Sequence, residues 1–195
     1  MAASFDPAKE RWPPIYDAVE LKATIAKVTA VPDVLFAEFY EQQIDQSEYS
    51  QGDIIYFDKE IPCIDENGEA VALEAETSFW MLLGNSCDLA RDIKEVPWTL
   101  AIPIRNYPGI VTQEIINALK KYDYARGFYV PPWSEEHKNR LYLADFLRSV
   151  SLHRGALKQA TVVARMKFCG WMLFHSCVVR FLARGDGRFD WFLPA

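Results

Sequence analysis

A chain of 195 residues, half of them hydrophobic and 14% aromatic, with only nine glycines, has the apolar material for one domain with a sizeable core, and that excludes a disordered protein. No run reaches the roughly 18 uninterrupted apolar residues of a membrane span; residues 168–183 come nearest and are broken by His175, Ser176 and Arg180. The formal net charge of −6 hides a split, since residues 1–125 carry 10 Lys and Arg against 22 Asp and Glu, whereas residues 126–195 carry 11 against 5. A basic C-terminal third either steers an anionic partner or attracts the acidic part of its own fold.

The first residues hold Asp6, Lys9, Glu10 and Arg11 where a signal peptide needs its apolar core, so a cytoplasmic location is expected. Pro7, Pro13 and Pro14 make an arm of this stretch. Val19, Leu21, Ile25 and Val28 then predict a short amphipathic helix over residues 17–30, and Val34, Leu35, Phe36, Phe39 and Tyr40 a second over residues 33–44. Residues 1–48 thus read as a helical extension.

Ser50-Gln51-Gly52-Asp53 reads as a turn into a strand, Ile54-Ile55-Tyr56-Phe57. Residues 59–63 and 70–73 flank Asp65-Glu66-Asn67-Gly68, a strong hairpin turn because Asn-Gly accepts positive φ. Phe79-Trp80-Met81-Leu82-Leu83 has no polar alternation, which predicts a strand covered on both faces; Gly84 breaks it and Asn85-Ser86-Cys87-Asp88 follow at once. Residues 96–104 form another strand, stopped by Pro103 and Arg105, and Thr112 caps a helix of about eleven residues. Strands are expected at residues 127–130 and from Leu141 through Phe146. Leu157, Val162, Val163, Met166, Cys169, Leu173, Val178 and Phe181 recur at helical steps, which predicts one long helix over residues 156–184, with a kink at Gly170.

The order of these elements resembles the PemK/MazF toxin-like family. Gly52-Asp53-Ile54-Ile55-Tyr56-Phe57 is similar to its opening strand, Trp80-Met81-Leu82-Leu83 to its central apolar strand, Ala101-Ile102-Pro103-Ile104 to its Pro-Ile strand, and residues 143–150 to a later segment. The resemblance implies an α+β fold in a single domain, residues 1–195, with a PemK-like, SH3-like β-barrel over residues 50–155 between N-terminal helices and a long C-terminal helix. It also implies a bacterial defence or toxin–antitoxin-type setting, RNA as a ligand, and a protein partner or a second copy. The family's ribonucleases use an Arg before the central strand and a Thr after the Pro-Ile pair; Phe79 and Arg105 stand there, so the fold carries over and the catalytic residues do not. The strand end with Cys87-Asp88 also resembles a group of uncharacterised bacterial proteins, some near defence or mobile-element genes.

Read directly, the candidate groups divide into three sets. Cys87 is a candidate nucleophile, with Asp88 or His153 to orient it and Arg91 as the nearest cation in sequence, or else a packing residue. Asp88 and Asn85 equally suit capping the turn that follows. Arg105, Arg148, His153 and Arg154 could take phosphate or a carboxylate, with Lys158 and Arg165 extending the basic zone, and Arg105, Arg148 and Asp88 are the set that an active ribonuclease would use. Tyr129, Trp133 and Tyr142 suit either base stacking or the core. The three histidines are scattered and the four cysteines form no CxxC pair, so reduced thiols are expected and neither a metal nor a cofactor.

Overall fold

A computed structural model describes residues 39–58, 61–64, 69–73, 77–107 and 112–182. The helix expected over residues 17–30 and the Asp65–Gly68 turn lie outside them. The described strands are β1 (Ile54–Phe57), β2 (Ile61–Ile64), β3 (Ala70–Leu73), β4 (Phe79–Leu82), β5 (Trp98–Asn106), β6 (Gly127–Val130), β7 (Tyr142–Asp145), β8 (Val150–His153) and β9 (Ala160–Ala164). The helices are α1 (Ser86–Leu89), α2 (Gln113–Lys120) and α3 (Phe168–Leu182).

The architecture is mixed α+β. Seven strands form one antiparallel sheet in the order β6-β7-β5-β4-β1-β9, with β8 also on β5, and β2 and β3 pair separately. The sheet is open: the described pairings do not join β9 back to β6 or β8. Ile54 lies opposite Met81 and Ile55 opposite Trp80. Strand geometry sends successive side chains to opposite faces, so Ile54, Met81 and Ile102 enter one core with Phe128 and Phe174, while Ile55, Trp80, Leu82 and Val162 enter a second. This is why the run from Phe79 lacks polar alternation. Each fully buried residue of that size contributes about 1.5–3 kcal/mol.

Several expectations are corrected. Residues 156–184 are not one helix: residues 154–159 form a 3₁₀ turn, residues 160–164 form β9 on β1, and α3 starts only at Phe168. The β-branched Thr161, Val162 and Val163 favour a strand, and Val162 and Ala164 are buried while Thr161 is exposed. Gly170 falls in the first turn of α3 and not in the middle of a long helix, and it makes a close contact, since a Cβ there would sit 3.0 Å from the Phe39 carbonyl oxygen. The helix expected to reach Ile44 has ended by Tyr40, which bridges Met166, with Glu41 N–H donating to Arg165 O at 2.9 Å. Pro103 lies inside β5: β8 pairs with residues 98–101 and β7 with residues 104–106, so Pro103 faces the break between them and no ladder bond is lost. That break is a 3₁₀ turn, Phe146–Arg148, so the strand expected through Phe146 ends at Asp145. α2 is eight residues long, and Thr112 caps it by accepting from Ile115 N–H.

Candidate functional site

The turn before β1 and the turn after β4 are built against each other. Gly52 takes φ 88, a conformation glycine adopts without strain, and a Cβ there would meet Met166 Sδ at 3.1 Å. Its N–H donates to Leu82 O at 2.8 Å. Gln51 is buried: its N–H donates to Ser86 Oγ at 3.0 Å, its Nε2 to Leu83 O at 2.8 Å, and its Oε1 accepts from Trp171 Nε1 at 3.0 Å and meets His175 Nδ1 at 3.4 Å. Burial holds His175 below the ordinary histidine value.

Asp53 is fully buried and takes both arms of the Arg165 guanidinium, at 3.0 Å from Nε and 2.8 Å from Nη2. It also accepts from Ser50 N–H at 2.9 Å, and Arg165 Nη2 donates to Glu48 O at 2.6 Å. Burial pushes the Asp53 carboxyl up, and Arg165 and the Ser50 N–H pull it back toward the ionised form. This pair joins the acidic part of the chain to the basic part and straps down the loop at residues 48–50.

That strapped loop is one wall of a cleft of about 560 Å³, formed by residues 47–50. The rest of its lining comes from α1 with the turn after it, contributing Ser86, Arg91 and Ile93, and from the 3₁₀ turn with Leu157 and Lys158. Leu89 and Leu157 are buried at its base, and Tyr49 spans it by donating its hydroxyl to Leu157 O at 2.6 Å. Arg154 also lines the cleft, but its guanidinium is engaged by backbone: Nη1 donates to Val96 O at 2.8 Å, and Nη2 to Arg91 O at 2.9 Å and to Leu89 O. It fixes the α1 turn. Arg91 has a side chain 60% exposed and only a loose 3.8 Å ion pair with Asp88, and Lys158 is exposed.

The sequence candidates therefore separate. Arg91 and Arg154 meet at the cleft, beside Asn85, Cys87 and Asp88 on the same turn. Asn85 occupies the N-cap of α1 without a side-chain capping bond, and Asp88 lies within the helix and faces Arg91, so neither caps through its side chain. Cys87 is exposed and makes no side-chain hydrogen bond among the described residues, whereas Cys177 is buried and its thiol is pushed up to about 11 by burial. His153 is turned away from the cleft lining: its Nδ1 accepts from Gly155 N–H at 3.2 Å, and its ring meets Trp98 edge-on at 5.2 Å.

Arg105 sits near the other end of β5, in a small cavity of about 150 Å³ with Asp145, Tyr107 and Tyr124. Arg148 Nε lies 3.5 Å from Asp145. The α1 end of the sheet is marked by Leu83 and Gly84, whose N–H groups donate to Leu100 O. Five residues along a strand span roughly 16 Å, so Asp88 and the Arg105–Arg148 group do not converge on one phosphate. Tyr129 and Tyr142 are buried in the core, and Trp133 packs on His137 with ring centroids 4.2 Å apart. Among the described residues no three His, Cys, Asp or Glu side chains gather as a metal site would require, and no helix is long and apolar enough to cross a membrane.

Ser47, Glu48, Tyr49 and Ser50 are site residues that sequence reasoning missed. Their signal was faint: a polar run from Asp45, in which Ser47 N–H and Oγ both donate to the Asp45 carboxylate at 2.8 and 2.7 Å. The chain matches no family model, no curated protein and no solved structure. Chemically, the cleft offers two exposed cations, the Glu48 carboxylate, hydroxyls and an apolar base, with no histidine in its lining. That set binds an anion more readily than it transfers a proton.

Proposed function

We propose that the protein is a PemK-like binding component that holds single-stranded RNA without cleaving it, in a bacterial defence or toxin–antitoxin-type system. Its sheet is read as an SH3-like barrel left open at one side; the return of β9 to β1 after a 3₁₀ turn supports this. The observation that carries the functional reading is the cleft, where Arg91 and Lys158 stand exposed while Arg154 and Arg165 are engaged by the fold. The missing catalytic Arg and Thr favour binding over cleavage. In the same setting a protein partner or a second copy is expected to co-purify.

Fluorescence anisotropy with a labelled single-stranded RNA tests this at two salt concentrations. The wild type should bind and weaken with salt, by a slope near 0.7 per phosphate contact, and Arg91→Ala with Lys158→Ala should weaken binding about tenfold or more while the RNA stays intact on a gel. Undiminished binding by that double variant would overturn the cleft. RNA cleavage lost in Arg105→Ala and Arg148→Ala would replace binding with an active ribonuclease, and cleavage lost on Cys87→Ser would indicate a thiol enzyme.

A further inference from the structure

We infer that the cleft holds one ribonucleotide unit and distinguishes it from a deoxyribonucleotide through Glu48. The inference rests on the RNA reading and names the part of the ligand that is recognised. A volume of about 560 Å³ suits a single small ligand and is too small for a duplex. The base of the cleft is apolar, with Leu89 6% and Leu157 3% exposed and Ile93 half-buried. Such a floor gives a phosphate nothing and takes a flat heterocycle. The Tyr49 ring beside it is held in place by its hydroxyl bond to Leu157 O, so it offers a preset apolar surface at low ordering cost.

Charge then orients the ligand. Arg91, in the turn after α1, and Lys158, on the 3₁₀ turn, are the exposed cations that a phosphate would seek. Glu48 lines the same cleft from the loop at residues 47–50 and is exposed; a carboxylate there repels phosphate and can only accept hydrogen bonds. A group carrying donors must therefore face it. In a nucleotide the donors between heterocycle and phosphate are the ribose hydroxyls, and a carboxylate accepting from the 2′-hydroxyl separates RNA from DNA. Among the described residues the carboxylates and cations of Glu48 and Lys158 are in no ion pair, so neither must be released to bind. The Glu48 side chain is also dispensable to the fold, because Arg165 bonds its backbone carbonyl and not its carboxylate.

Isothermal titration of the full chain with adenosine 5′-monophosphate, 2′-deoxyadenosine 5′-monophosphate and inorganic phosphate tests the inference. The ribonucleotide should bind about tenfold tighter than the deoxyribonucleotide, and phosphate alone more weakly than either. Glu48→Ala, with an unchanged melting temperature as the folding control, should bring the two nucleotides to within about twofold of each other, because only the ribose form loses a hydrogen bond while any relief of phosphate repulsion is common to both. Equal binding of the two nucleotides by the wild type, or phosphate as tight as the nucleotides, would overturn it. Failure to bind the mononucleotide while RNA binds through Arg91 and Lys158 overturns this inference and leaves the RNA reading standing. Mononucleotide binding with the 2′-hydroxyl preference but no RNA binding does the reverse.

Discussion

The inner wall of the cleft and its mouth both carry arginine, and the two put it to opposite use. Behind the wall, Arg165 is almost wholly enclosed and grips the fully buried Asp53, and Arg154 reaches three backbone carbonyls. At the mouth, Arg91 and Lys158 stand largely in water. A desolvated charge is kept only when all its hydrogen bonds are made, and it then holds structure; an exposed one adds little stability and remains available to a ligand. Four cations of similar sequence appearance thus divide into two that build the site and two that serve it.

Substitutions should separate the two regions cleanly. The largest effect is expected from Asp53→Ala, which leaves Arg165 enclosed without its counter-charge and should cost about 3–5 kcal/mol in urea unfolding; a loss below 1 kcal/mol would break the distinction. Arg154→Ala should cost about 1.5–3 kcal/mol by freeing the α1 turn. Arg154→Lys should recover little of it, because an ammonium cannot reproduce the planar fork.

pH should act behind the cleft lining, where His175 meets Gln51, and away from the cleft at His137, which packs on Trp133. Burial keeps His175 below its ordinary value, and His137 is lowered in the same way by burial and by nearby Arg140. The unfolded chain then binds more protons than the folded one below about pH 6.5. Stability present at pH 7 should therefore be lost as pH falls through 6.5 toward the folded-state values. In urea midpoints measured from pH 7.5 to 5, His175→Gln should show a shallower decline than wild type, and parallel curves would refute the assignment. The smallest effect belongs to the mouth, where Arg91→Ala and Lys158→Ala should each change stability by less than about 0.5 kcal/mol while RNA affinity falls.

Much of the framework was legible in the sequence because local rules and tertiary packing agree there. Ile54–Phe57 and the run from Phe79 were read as strands from their apolar density, and residues 61–64 and 70–73 pair as the Asn-Gly turn between them predicted. β9 was not legible, since Leu157, Val162, Val163 and Met166 fall at helical spacing although β1 takes residues 160–164 as a strand. The turn carrying Asn85, Cys87 and Asp88 was found at the edge of the cleft, but the residues facing it were not. Glu48 and Ser50 become a wall only through Asp53 and Arg165, a contact far apart in sequence. The role of Arg154 was equally hidden, because its acceptors are backbone carbonyls that any residue at positions 89, 91 and 96 would present.

The pairing of β1 with β9 bears on how the chain assembles. Ile54 finds Ala164 opposite it, so one of the ladders that complete the sheet joins the early part of the described chain to its last third. Contacts between residues so distant in sequence close late and slow folding. During synthesis β1 can pair with β4 well before β9 is made, and until then its other side presents an unmatched row of N–H and C=O groups, the kind of edge that recruits foreign strands. A chain shortened before Ala160 should retain that edge and precipitate from the translation mixture, where the full chain stays in solution.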